Sequence, residues 1–75
     1  MKITDIRNTL AQEIEVAWVV KYEKKLGVAT ITLDSYDPYE IIEAFKQAYD
    51  FCKDDCHTSL VYDGNIYSIV ISPVE

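Results

Sequence analysis

The chain has 75 residues, 49% of them hydrophobic, and a formal net charge of −6. That length holds one domain, residues 1–75, which buries only about 60% of its unfolded surface. Two glycines and two prolines exclude low-complexity sequence, the opening MKITDIRNTL lacks a signal peptide's apolar run, and no stretch reaches the roughly 18 apolar residues of a membrane span, so a cytoplasmic protein with reduced thiols is expected.

Ile3, Ile6, Leu10 and Ile14 recur at spacings of three and four, which predicts an amphipathic helix over residues 4–13. Thr4 would cap it, with Asp5 in its first turn. IEVAWVVKY and VATITLD then alternate like strands, linked by EKKLG. Pairing Tyr22 with Gly27 places Val20 opposite Ala29, Trp18 opposite Ile31 and Val16 opposite Leu33, so that the apolar side chains, Trp18 included, face one core.

DPYE opens a second helix, expected over residues 38–54: Asp37 caps, Pro38 takes the first position and Glu40 completes a capping box. Ile41, Phe45, Ala48 and Cys52 form its apolar stripe. SLVYDGNIYSIVIS reads as a second hairpin turning at Asp63-Gly64, with Pro73 ending the last strand. The expected fold is α+β in the order α-β-β-α-β-β, with one antiparallel four-stranded sheet and two helices packed on one face. Its other face is left to water or a partner.

CKDDCH, residues 52–57, gathers both cysteines and the only histidine. Cys52 and Cys56 are spaced like zinc ligands, but His57 is the only other soft donor and no second pair exists to complete a site. A disulfide requires the helix to end before Cys56, in a compartment that disfavours it. The reading preferred is a helix end, with Cys52 as a small core hydrophobe. Neither a metal nor another cofactor is expected. Phosphate loops, nucleophile elbows and HExxH motifs are all missing, so an enzyme is not expected.

Charge is unevenly placed. Residues 1–36 carry five bases and five acids, whereas residues 37–75 carry two bases, Lys46 and Lys53, and eight acids. Glu40, Glu43, Gln47, Asp50 and Asp54 repeat at spacings of three and four along about 21 Å of the second helix. A solvated face explains such a stripe as ordinary surface. The functional reading is a docking face for a basic protein, built from Tyr36, Asp37, Tyr39, Glu40, Glu43, Asp50 and Asp54. Tyrosines suit that edge because the ring packs while the hydroxyl stays wet. Aromatics beside carboxylates argue against direct nucleic-acid binding.

In size, acidity and lack of catalytic motifs the chain resembles small phage-encoded inhibitors of host defence, of the anti-CRISPR and anti-restriction type. That resemblance implies a viral inhibitor and a class of partner, and it assigns no site residues. If the basic surface docked by the acidic face normally binds nucleic acid, carboxylates would stand in for phosphates, a nucleic-acid mimic acting on a nucleic-acid-handling protein. The alternative is a structural module that homodimerises through strand edges or the open sheet face, a reading motivated by the mixed apolar faces of NIYSIVIS.

Overall fold

The computed structural model describes residues 6–53 and 56–73. The first described element is a short helical segment, α1, wound as a wide π-turn over Ile6–Leu10 and as an α-turn over Ala11–Glu13. The expectations for Thr4, Asp5 and Ile3 lie outside the described residues. The mixed winding has a physical logic. Ile6, Leu10 and Ile14 are four apart and all buried. A four-residue step overruns a 3.6-residue turn and underruns a wider one, so the two windings together keep the three side chains in line.

Strand β1 spans Ala17–Glu23 and β2 spans Val28–Leu33. The hairpin forms as expected, but its register moves by two residues. Glu23 pairs with Val28, Tyr22 with Ala29 and Val20 with Ile31. The loop is therefore Lys24–Gly27, closed by the Gly27 amide donating to the Glu23 carbonyl at 2.9 Å with Gly27 at φ 67. A bulge then falls between Ala17 and Val19, because Ala17 opposes Leu33 while Val19 opposes Thr32. The extra residue is Trp18. Strict alternation would bury it, but one inserted residue reverses which side chains face inward. Ala17 takes the inner position and Trp18 is 66% exposed, lining a shallow cleft with Arg7, Ala11 and Gln12. The expected core tryptophan is thus a surface residue.

Helix α2 spans Pro38–Cys52. It stops before the expected residue 54 because Lys53 adopts φ 46 and its amide donates to the Tyr49 carbonyl at 2.7 Å. Strand β3, Cys56–Tyr62, and β4, Tyr67–Pro73, complete the chain. CKDDCH therefore divides between two elements: Cys52 closes α2 and Cys56 opens β3, both buried, with His57 exposed. No group of three or more His, Cys, Asp or Glu side chains among the described residues is placed to hold a metal ion. Nor is any described helix long and apolar enough to cross a membrane.

The four strands form one antiparallel sheet in the order β1-β2-β4-β3. The first strand of each hairpin is an edge, and the second strands meet in the middle. Ala29, Ile31, Leu33, Ile69 and Ile71 line the inner face. They pack with Ile6, Leu10 and Ile14 of the α1 region and with Ile41, Ala44, Ala48 and Cys52 of α2 in one core. The fold is α+β, with two helices against one four-stranded sheet. α2 packs chiefly over β3, and α1 over β1.

The β3–β4 turn is organised by the Asp63 carboxylate. Asp63 Oδ1 accepts from the Asn65 amide at 2.8 Å and the Ile66 amide at 2.9 Å, and Gly64 takes φ 98 as the turn requires. Hydrogen bonds from the Ile66 and then the Asn65 amide hold the Asp63 carboxyl below its ordinary value. The folded chain thus binds that proton less tightly than the unfolded chain does. The turn's contribution is present above the unfolded value, near 3.9, and is lost as pH falls through the lower folded one. Asp63→Ala is expected to lower the neutral-pH melting temperature slightly and to flatten the acid limb of a melting-temperature profile below about pH 4. An unchanged limb would assign acid sensitivity to other carboxylates.

Candidate functional site

The start of α2 is fixed by four side chains, those of Ser35, Tyr36, Asp37 and Glu40. Asp37 Oδ1 accepts from the Tyr39 amide at 2.9 Å, satisfying one of the helix's unpaired donors. The expected capping box closes differently: Ser35 Oγ donates to Glu40 Oε1 at 2.7 Å and accepts from the Asp37 amide at 3.1 Å. Serine thus stands between the two groups that a capping box joins directly, and it holds the Glu40 carboxylate in place. The Tyr36 hydroxyl donates to the Asn65 carbonyl, tying the head of α2 to the β3–β4 turn.

From this anchored head, α2 runs beside the end of α1. The two enclose an open groove of about 440 Å³, lined by Glu13, Ile14, Glu15, Val16, Tyr39, Glu40, Glu43, Ala44 and Gln47. Ile14 and Ala44 are buried and Val16 is half-buried, so they make an apolar floor. Glu13, Glu15, Glu40 and Glu43 are exposed and make a carboxylate rim. No lysine or arginine lines the groove. Gln47 Nε2 donates to the Glu13 carbonyl at 3.4 Å, linking the two walls.

Four carboxylates around an apolar floor suit a particular guest. Lysine and arginine lay an alkyl stem along apolar surface and keep the charged head among oxygens. The carboxylates do not converge into a metal-binding group.

The expected site residues divide among several places. Tyr39, Glu40 and Glu43 meet in the groove. Asp37 is committed to the helix cap and Tyr36 to the β3–β4 turn. Asp50 is exposed farther along α2 and is not a lining residue. Asp54 lies outside the described residues. Glu13 and Glu15 were not expected, because they belong to the half of the chain whose charges cancel. Their only signal was their flanking of Ile14, a residue whose burial places both neighbours at the rim.

Compared with known proteins, the chain matches no protein-family model, no curated protein and no solved structure.

Proposed function

We propose that this protein is a non-enzymatic binding module, an inhibitor that sets its acidic groove onto the basic surface of a partner protein in the cytoplasm. One observation carries the reading: four carboxylates from two separate chain segments rim a single apolar-floored groove that contains no base. Lysine or arginine side chains of the partner enter the groove, with Tyr39, 84% exposed, packing at its mouth. Where that basic surface normally holds nucleic acid, the glutamates take the place of phosphates and compete for the same contacts. The likeness in size and acidity to small phage-encoded inhibitors of host defence implies the same class of partner.

The test uses immobilised native protein beside a Glu13/Glu15/Glu40/Glu43→Gln variant, which keeps side-chain shape and removes the charge. Proteins retained from lysate at low and high salt are identified by mass spectrometry. Each is then titrated with the native chain while bound to labelled nucleic acid. The expected result is a basic protein held by the native chain only, released by salt, whose nucleic acid is displaced as the chain is added. Equal retention by both forms would return the groove to ordinary solvated surface.

A further inference from the structure

The two edges of the sheet are built differently. Strand β1 has its pairing interrupted by the bulge at Trp18 and carries Lys21 and Glu23. Bulges and charges are the usual devices that keep an edge from pairing with another chain. Strand β3, reading CHTSLVY, has none of them. It contains no Lys, Arg, Asp, Glu or Pro, and it runs in unbroken register with β4 from Cys56↔Pro73 to Tyr62↔Tyr67.

Apolar surface collects along that open edge. Leu60 is 42% exposed, Val61 45% and Tyr62 54%, although Leu60 and Tyr62 lie on the helix-covered side of the sheet with their partners Ile69 and Tyr67. On α2, Ile42 is 55% exposed and Tyr49 57%. By helix periodicity these two sit on the flank opposite Glu40 and Gln47. Since Glu40 and Gln47 face α1, and α2 packs chiefly over β3, Ile42 and Tyr49 lie toward the β3 edge.

We propose that β3 pairs antiparallel with β3 of a second copy of this chain, joining two sheets into one of eight strands. The strand is suited to itself. A twofold axis near Ser59 sets Thr58 beside the partner's Leu60, and His57 beside the partner's Val61, and the two paired strands bring no like charges together. Strand β3 itself carries no charge to complement a charged peptide, and Lys46 lies on α2 between Ile42 and Tyr49. A second copy supplies the unpaired backbone groups and the same apolar flank. A stable dimer needs about 800 Å² from each partner, about 15% of the chain's 5247 Å² surface. The strand and the Ile42–Tyr49 flank must therefore contribute together. The acidic groove lies on the other flank of α2 and stays open, so the dimer presents two.

Sedimentation velocity of the native chain over a concentration series, with Leu60→Lys, Val61→Lys and Val19→Lys, tests this. The native chain is expected to move toward twice its 8.6 kDa mass. The two β3 substitutions are expected to weaken the dimer at least roughly tenfold, and Val19→Lys on the protected edge to leave it intact. A native chain that stays monomeric up to about 1 mM overturns the proposal. So does a dimer that survives both β3 substitutions, or one broken by Val19→Lys. Circular dichroism checks that the variants fold. If the β3 variants do not, amide exchange of native β3 decides: exchange slowed at high concentration supports the pairing, and exchange independent of concentration refutes it.

Discussion

Ile31→Ala is expected to lower the unfolding free energy by about 3–4 kcal/mol. Ile31 has 0% exposure at the centre of the sheet, opposite Val20 on one side and Ile69 on the other. Truncation removes its transfer contribution and leaves a cavity between two strands and the helices, and paired backbones hold those strands too firmly to close it. A chain of this size has a total stability of about 4–11 kcal/mol. One substitution therefore removes a large part of it and should lower the melting temperature by roughly 12–32 °C. Thr30→Ala, next in sequence on the uncovered face, should cost less than about 1 kcal/mol. Urea unfolding followed by circular dichroism measures both. Trp18 fluorescence is a poor reporter, since that side chain is already largely in water. Equal losses at the two positions would refute the facing of β2.

The second large effect concerns binding, and it separates the groove from a simple acidic helix. Glu13→Lys/Glu15→Lys, with α2 untouched, should weaken binding of an oligo-arginine peptide roughly 100-fold, because close charge pairs at an interface are coupled by several kcal/mol. Asp50→Lys, on exposed surface beyond the groove, should change it by less than about fivefold. Native affinity should fall steeply with salt, and that dependence should be shallower in the double variant. Fluorescence anisotropy of the labelled peptide gives all three results. If Asp50→Lys weakened binding as much as the double variant, the peptide would be responding to the net charge of the whole chain, and the groove would have no special part.

How far these features could be read from residues alone depends on how local their causes are. The start of α2 was legible because Asp37, Pro38 and Glu40 act within one turn, and even there the hydroxyl of Ser35 changed how the cap closes. The β3–β4 turn was legible because Asp63 and Gly64 serve the turn themselves. Trp18 was misplaced because a single bulged residue reverses the facing of every residue before it, and nothing in IEVAWVVKY marks where the insertion falls. Strand order was not legible, since either strand of the second hairpin carries enough apolar residues to be central. The candidate site was half legible. Its α2 wall follows from helical spacing, but Glu13 and Glu15 join it only through the packing of α1 against α2.

The junction between β2 and β4 consists of four residue pairs, from Ala29↔Ile71 to Thr32↔Ser68. It is the seam in the sheet between the two helix-and-hairpin halves of the chain. Each half brings its own wall to the groove, so the groove exists only once the seam has closed. A guest touching Glu13 and Glu43 together acts as a clasp across that seam. It binds the joined molecule and not the parted one, so every increment of its affinity is also an increment of mechanical union between the halves.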